Sequence, residues 1–592
     1  MHKIKTIVAI MLAGSLAVLT ACTQAQIEQL NRIEEAVNAS AEQTVEKHVY
    51  QIEKKNVPFY LAGLDEENKM DIDLYFMDSN IDVPYITVDD FRNLLVSMFG
   101  SDPGSDYDIT VTKEGEKITL SRETKYPMTI DCANDTIEFW DFDAFLAKTK
   151  GATLMDLIMY PGFNDEGEPE LFQRSNTSFE RYGDKVTFNP GKYEIDLICQ
   201  DGEYYIPMQV ASDIVLSQYS IGTLYNGEAA FLIASGNVDA VGEKYYLDNP
   251  PEERSQDLID FNYRELCFIL DALYGLKEQH DIDDFNTMFM KANLINQMLS
   301  KDPQVAGQAL SDLTLKYFDD QHSAFIGRSY MMKENVEYNL GPSFRQSFID
   351  RQRYTEARNK VYPDGPVPYE EFGNTAYITF DSFLLNGMDY YKDKAEDNLE
   401  DTIALMIYSY SQITRKDSPI ENVVLDLSNN GGGMAPAAAF VIGTFIGEGS
   451  ISVTNTLSGA LVTQDYKVDV NLDRKFDEKD SLLDYNLFCL TTANSFSCGN
   501  LVPSALKNSH QVTMLGQTSG GGACVVHHLT TADGCPLRIS GPSRLAYTKN
   551  GSFYDIDQGV EPDFVLASPD LFYDREYLTG YINDEILGKK TR

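Results

Sequence analysis

Positive charge is scarce in this sequence. Lys and Arg total 48 against 91 Asp and Glu, a formal net charge of −43 at pH 7. A chain so poor in cations cannot displace counterions from a polyanion, which argues against nucleic acid or anionic lipid headgroups as partners. The acidic excess reads either as a solubilising surface or as selection for a cationic substrate. Long apolar runs are also missing beyond residue 22, so no later segment is built to span a bilayer. Cysteine is thinly spread after Cys22: Cys132, Cys199, Cys267, Cys489, Cys498, Cys524 and Cys535 are odd in number and form no C-x-x-C pattern. That gives neither a disulfide framework nor a zinc site. Cys524 and Cys535 invite a bridge, but Asp533-Gly534 reads as a hairpin turn that sets Cys535 against Ala532 and leaves Cys524 far down the ladder. The cysteines therefore read as small buried hydrophobes. Disorder is not the alternative, because 43% of the residues are apolar and 23% charged.

What is present begins with an export signal. Lys3 and Lys5 precede an apolar stretch over 6–20, shorter than the roughly 20 residues of a spanning helix. It ends in Leu19-Thr20-Ala21-Cys22, which resembles a bacterial lipobox. The resemblance implies cleavage before Cys22, acylation of that cysteine, and an extracytoplasmic protein held to a bacterial membrane by lipid. A plain secretory signal is the other reading.

The rest divides by pattern. Residues 23–55 are polar with Ile27, Leu30, Ile33 and Val37 at helical spacing, and read as a tether. Residues 56–245 carry short alternating runs with turns at Glu114-Gly115-Glu116 and Asp201-Gly202, an α+β or β-rich region. Residues 253–330 predict a helical subdomain: 258–273, 285–299 and 305–318, after which His322 stands where helix gives way to extended chain. A proline-bearing stretch over 341–368 reads as a separator. Residues 372–567 alternate strands (376–380, 422–427, 486–491, 512–515) with helices (401–414, 435–446, 501–508), which predicts an α/β core of parallel strands with crossover helices.

Three glycine- or serine-bearing turns follow strands of that core. Val423-Val424-Leu425-Asp426-Leu427 leads into Ser428-Asn429-Asn430-Gly431-Gly432-Gly433, which bares backbone N–H groups without the spacing or lysine of a phosphate loop. Leu487-Phe488-Cys489-Leu490-Thr491 leads to Ser495-Phe496-Ser497-Cys498-Gly499-Asn500, putting Ser497 at a helix N-terminus, where it serves either as an N-cap or as a nucleophile. The third turn is Gly516 to Gly522, and Gly559-Val560-Glu561-Pro562-Asp563 closes the set.

In order and spacing these four segments resemble the tail-specific (carboxy-terminal processing) serine proteases and their tricorn relative. That family carries D-L-R-x-N-G-G-G, S-A-S-A-S-E, G-E-P-T-x-G-K and G-[VI]-x-P-D. The likeness covers about residues 255–567 and implies a crotonase-like core, a Ser497 nucleophile, and oxyanion donors from Gly431, Gly432 and Cys498. Three positions depart from the pattern: Ser428 stands for arginine, Asn500 for glutamate, and Gly522 for the general-base lysine. A Ser–Lys dyad is therefore not implied. The tricorn-like branch pairs its serine with an upstream histidine, and His322 matches that residue; a neutral imidazole accepts a hydroxyl proton at working pH. His527 and His528, on the strand after the third turn, are the other candidates. The branch also uses an acid near the final motif, for which Asp557 is the choice over Asp555 and Glu561. The reading is thus a serine endopeptidase acting on protein or peptide, with no metal and no organic cofactor. A non-catalytic peptide-binding lipoprotein and an esterase remain as alternatives. No Gly-Leu-Gly-Phe-type loop of a PDZ domain is present, so capture of a free C-terminus is not implied.

Overall fold

The computed structural model describes residues 48–61, 69–100, 107–146, 171–234 and 244–588. The expected signal with Cys22, and residues 23–47 of the tether, lie outside them. The chain divides into a unit 1–50 and a unit 51–592, and every described strand and helix belongs to the second. Among the described residues no helix is long and apolar enough to cross a membrane.

The strand Ile52–Tyr60 takes in the last residues expected of the tether, because it pairs along its whole length with Lys69–Met77. Those two belong to a seven-stranded sheet with Asn80–Thr87, Ile198–Gln200, Glu203–Pro207, Ile221–Tyr225 and Ala230–Ala234. The expected strand–turn–strand over 108–120 is present as Ile109–Glu114 and Lys117–Arg122, within a separate five-stranded sheet. The region is not closed on itself, since Phe172–Arg181 pairs antiparallel with Leu461–Val468 of the core.

The helical stretch begins with Gln256–Leu273, N-capped by Ser255. The second expected helix is broken into Phe285–Lys291 and Ile295–Met298, with Asn293 at φ +59° between them. The third starts at Pro303 behind an Asp302 cap, then widens into a π-helical turn over Leu313–Phe318 immediately before the His322 loop. The 341–368 separator is a correction: Pro342–Val361 is one long helix. Only Tyr354, Ala357 and Arg358 are buried on it, so its sequence carries no apolar stripe to read.

The core sheet runs in the order Tyr369–Phe372, Thr375–Thr379, Asn422–Asp426, Asn486–Thr491, Val512–Gly516, Phe564–Val565. Every pairing is parallel except that of the first hairpin. Both faces are covered, which is why its strands read as unbroken apolar runs rather than alternating ones. Val423 and Leu425 face the helices Ala435–Ile446 and Cys498–Asn508. Val424, Phe488 and Leu515 pack in one cluster with Tyr354 and Ala357 and with Phe572 and Leu578 of the C-terminal helices. A second large sheet carries the hairpin of Cys524–Thr530 and Pro536–Lys549. Its loop is longer than expected: Thr531 N–H donates to Cys535 C=O (3.0 Å), so Thr531 rather than Ala532 faces Cys535, while Cys524 lies opposite Arg544. All the described cysteines are free, and five are buried.

Candidate active site

Parallel strands deliver their C-terminal ends to one edge of the sheet, and the three loops meet there. They are knitted by short bonds. Ser495 Oγ donates to Leu427 C=O (2.7 Å), and Thr492 Oγ1 donates to Ser428 C=O (2.6 Å). Phe496 N–H donates to Asn430 C=O (3.0 Å), and Ser497 N–H to Gly521 C=O (2.9 Å). Ser497 sits at φ +58°, ψ −121° ahead of the helix Cys498–Asn508, and its side chain makes no capping bond. A non-glycine residue held in that conformation is costly and survives only where its surroundings fix it. The N-cap alternative for Ser497 therefore fails, and its half-buried hydroxyl is left without a hydrogen bond among the described residues. Gly432, at φ +104°, makes the approach possible: a Cβ there would lie 2.6 Å from Ser497 Cβ and 3.1 Å from its Oγ.

Of the three amides expected to be bare, only that of Cys498 is so among the described residues. Gly431 N–H donates to Asp381 C=O (3.0 Å) and Gly432 N–H to Asn430 Oδ1 (2.9 Å), so both are committed within the loop. Cys498 N–H, the first of its helix, carries no bond among the described residues, and neither does Gly433 N–H. These two residues adjoin, because Cys498 Sγ donates to Gly433 C=O at 3.2 Å. Burial pushes the Cys498 thiol up to about 12, which makes it a packing group rather than a second nucleophile.

His322 is brought to this edge. Its ring packs on Phe496, the neighbour of Ser497, with centroids 4.6 Å apart, and only 6% of the residue is exposed. Its Nε2 is buried without a partner. Burial pushes the imidazole down to about 4; Asp320 opposes the shift and Arg538 adds to it. Asp320 is the acid of the loop that carries His322. It accepts from the N–H of His322 (3.1 Å) and of Ser323 (2.8 Å), from Ser540 Oγ (2.8 Å), and from Tyr274 OH (2.8 Å). Arg538 Nε in turn holds His322 C=O at 2.7 Å. Asp557 is employed differently: its Oδ1 accepts Ala523 N–H (2.9 Å), pinning the third loop, and burial raises its pKa. Asp555 pairs with Arg544 at 2.7 Å. His527 and His528 are both buried, the first meeting Gln218 at 3.3 Å and the second lying opposite Arg538 in register. Burial lowers both, to about 3 and about 4.

The departures from the family pattern have structural counterparts. Gly522 stands at φ +84°, and a Cβ there would meet the Phe496 ring at 2.6 Å, so phenylalanine fills the space into which a side chain at 522 would project. Asn500 bridges two loops, donating to Ile556 C=O (2.9 Å) and accepting from Ser519 Oγ (2.7 Å). Ser428 Oγ lies 3.0 Å from Tyr573 OH, and the guanidinium in this neighbourhood comes from Arg575, which reaches Asp426 at 2.9 Å and Glu370 at 2.8 Å. Sequence reading gave no role to Gly433, Asp320, Phe496 or Arg575; the first three stand inside the quoted glycine run, beside His322 and beside Ser497, whereas Arg575 left no trace.

Residues 374–566 match the model of Peptidase family S41. This S41 segment contains the three core loops and supports a serine-type peptidase. A Chlamydia pneumoniae protein, CPj1016/CpB1054, is 30% identical over 106 residues, which are 18% of this chain and 16% of that one. The chain thus spans about a sixth of the length of that curated relative. Among solved structures, the photosystem II D1 C-terminal processing protease is 20% identical with a TM-score of 0.26, over 33% of this chain and 43% of that one. Mature CPAF is 10% identical with a TM-score of 0.38, over 56% of this chain and 99% of that one. A lipoprotein from Streptococcus agalactiae is 13% identical with a TM-score of 0.33, over 56% and 99% respectively.

Proposed function

We propose that this chain is a lipid-anchored, extracytoplasmic serine endopeptidase, tricorn-like in using a histidine, with a crotonase-like core. Ser497 attacks a peptide carbonyl as His322 takes its proton; the carbonyl carbon–nitrogen bond then breaks as the imidazolium returns the proton to the leaving amine, and water releases the acyl group. The observation that carries the reading is Ser497 in a strained conformation at a helix N-terminus, its hydroxyl free, with the His322 ring, whose Nε2 is free, packed on the adjoining Phe496. Cys498 and Gly433 supply the oxyanion donors, each worth about 2.7–4 kcal/mol of barrier. Gly431 and Gly432 shape the loop, and Asp320 orients the base. Asp557 acts by fixing the 521–523 loop. Anchoring through acylated Cys22 rests on the lipobox resemblance alone. Ser497 and His322 share no hydrogen bond among the described residues; catalytic bonds of this kind often tighten only with substrate.

A fluorophosphonate probe tests the centre directly. Ser497→Ala abolishes labelling, and undiminished labelling removes Ser497 from the account. The non-catalytic alternative takes its support from that same unmade bond; it would hold if wild type bound peptide but neither labelled nor turned over. Radiolabelled palmitate incorporated by the wild type and lost in Cys22→Ala checks the anchor.

A further inference from the structure

The helix Pro342–Val361 ties the loop of the base to the glycine loop beside Ser497. Asp319, three residues before His322, caps its first turn by accepting from Ser343 N–H (2.7 Å) and Phe344 N–H (3.0 Å). Ser347 Oγ donates to Oε1 of Gln321, the neighbour of His322, at 2.7 Å. Further along, Arg358 forks onto Asp381 (2.6 and 2.7 Å), the residue whose C=O takes Gly431 N–H. Ser347, Arg351, Tyr354 and Arg358 follow one another at helical spacing and share one face. Arg351 therefore stands between the two loops.

The glycine contacts bring its guanidinium close to the nucleophile. Arg351 Nη2 lies 3.6 Å from the place a Cβ would take on Gly431, and the corresponding point on Gly432 is 3.1 Å from Ser497 Oγ. Adjoining Cβ positions are at most about 7 Å apart, which keeps Nη2 within about 14 Å of the hydroxyl. About four residues of extended chain cover that span. Arg351 is exposed, and no hydrogen bond or ion pair holds its guanidinium among the described residues. Its counterparts nearby are spent, Arg358 on Asp381 and Arg575 on Asp426 and Glu370. A free planar fork of N–H donors matches a carboxylate. In a chain of net charge −43 the acidic remainder of the surface repels such a group, so the attraction is local to this point.

We propose that Arg351 is a specificity-determining residue that binds a substrate carboxylate, from an Asp or Glu side chain or a free C-terminus, within about four residues of the cleaved bond, a reading that rests on the peptidase function above.

The full chain is given a proteome-derived peptide mixture, and the cleaved bonds are mapped by mass spectrometry. Wild type is expected to favour Asp or Glu about fivefold at one position within about four residues of the cut, or to cut within about four residues of free C-termini by the same factor. The first result assigns the side chain and the second the terminus. Either preference weakens in high salt and vanishes when every carboxyl of the mixture is amidated. Arg351→Gln abolishes it without moving the thermal unfolding midpoint. Arg351→Glu turns it into avoidance of carboxylates, with Lys or Arg favoured at the same position, an inversion that loss of a merely structural arginine would not produce. A wild-type profile indifferent to carboxylates overturns the proposal, and so do identical profiles for wild type and Arg351→Gln. A wild type that cleaves nothing in the mixture overturns the peptidase reading and this one with it, whereas cleavage with unchanged profiles overturns this one alone.

Discussion

The acid limb of activity discriminates sharply between a buried and a solvated base. An imidazole in water titrates near 6.5, whereas burial holds His322 at about 4 in the free protein. Only the neutral ring accepts the Ser497 proton, so the rate of fluorophosphonate labelling follows the neutral fraction. At pH 5 that fraction is about 0.9 for a pKa of about 4, but about 0.03 for an unperturbed histidine, a difference of roughly thirtyfold. The displacement of about 2.5 pH units corresponds to about 3 kcal/mol of disfavoured charge. Its sign follows from linkage: between pH 6.5 and 4 the unfolded chain binds the proton and the folded one does not, so this group costs stability as pH falls through that window. Asp143 and Asp480, each raised to about 6 chiefly by burial, take up protons in the folded state and act in the opposite sense. The readout must therefore be second-order labelling at Ser497, with circular dichroism confirming the fold at each pH. A midpoint near 6.5 would refute a dry His322, and with it the packing of its ring on Phe496.

Three further outcomes each rest on a single contact. Gly432→Ala drives a methyl into Ser497 Cβ and Phe496 C=O at a φ of +104°, and should cut labelling by about 100-fold and lower the urea unfolding midpoint as well. Gly522→Lys should not yield a Ser–Lys enzyme: the new side chain meets the Phe496 ring at a positive φ, so the thermal midpoint falls and labelling is lost rather than shifted to alkaline pH. Arg575→Ala leaves Asp426 buried without its cation and should cost about 3–5 kcal/mol in urea unfolding; a loss below about 1 kcal/mol would show that the pair is dispensable.

The parallel core was legible because burial on both faces writes itself as continuous apolar runs, as in Val423 to Leu427, with glycine and serine turns marking each strand end. The long helix Pro342–Val361 was not, because it covers the sheet with only a few residues and spends the others on solvent. At the site, residue types carried Ser497 and His322 into view. The sequence does not record which way an amide points. Gly431 and Gly432 sit where donors were expected, yet Asp381 C=O and Asn430 Oδ1 take their hydrogens, leaving the next glycine, Gly433, with the free one. Likewise Asp320 acquires its place from Tyr274 and Ser540, partners far away along the chain.

One pairing has a consequence for how this protein is made. The strand Phe172–Arg181 closes the outer side of Leu461–Val468, and Asn176 and Asp465, which share a side-chain bond there, are 289 positions apart. During synthesis the early strand must wait unzipped for most of the remaining translation before its mate emerges, a delay that slows folding and exposes adhesive backbone. Expressing residues 374–566 alone would strip that cover permanently, leaving a raw sheet border on which copies can stack.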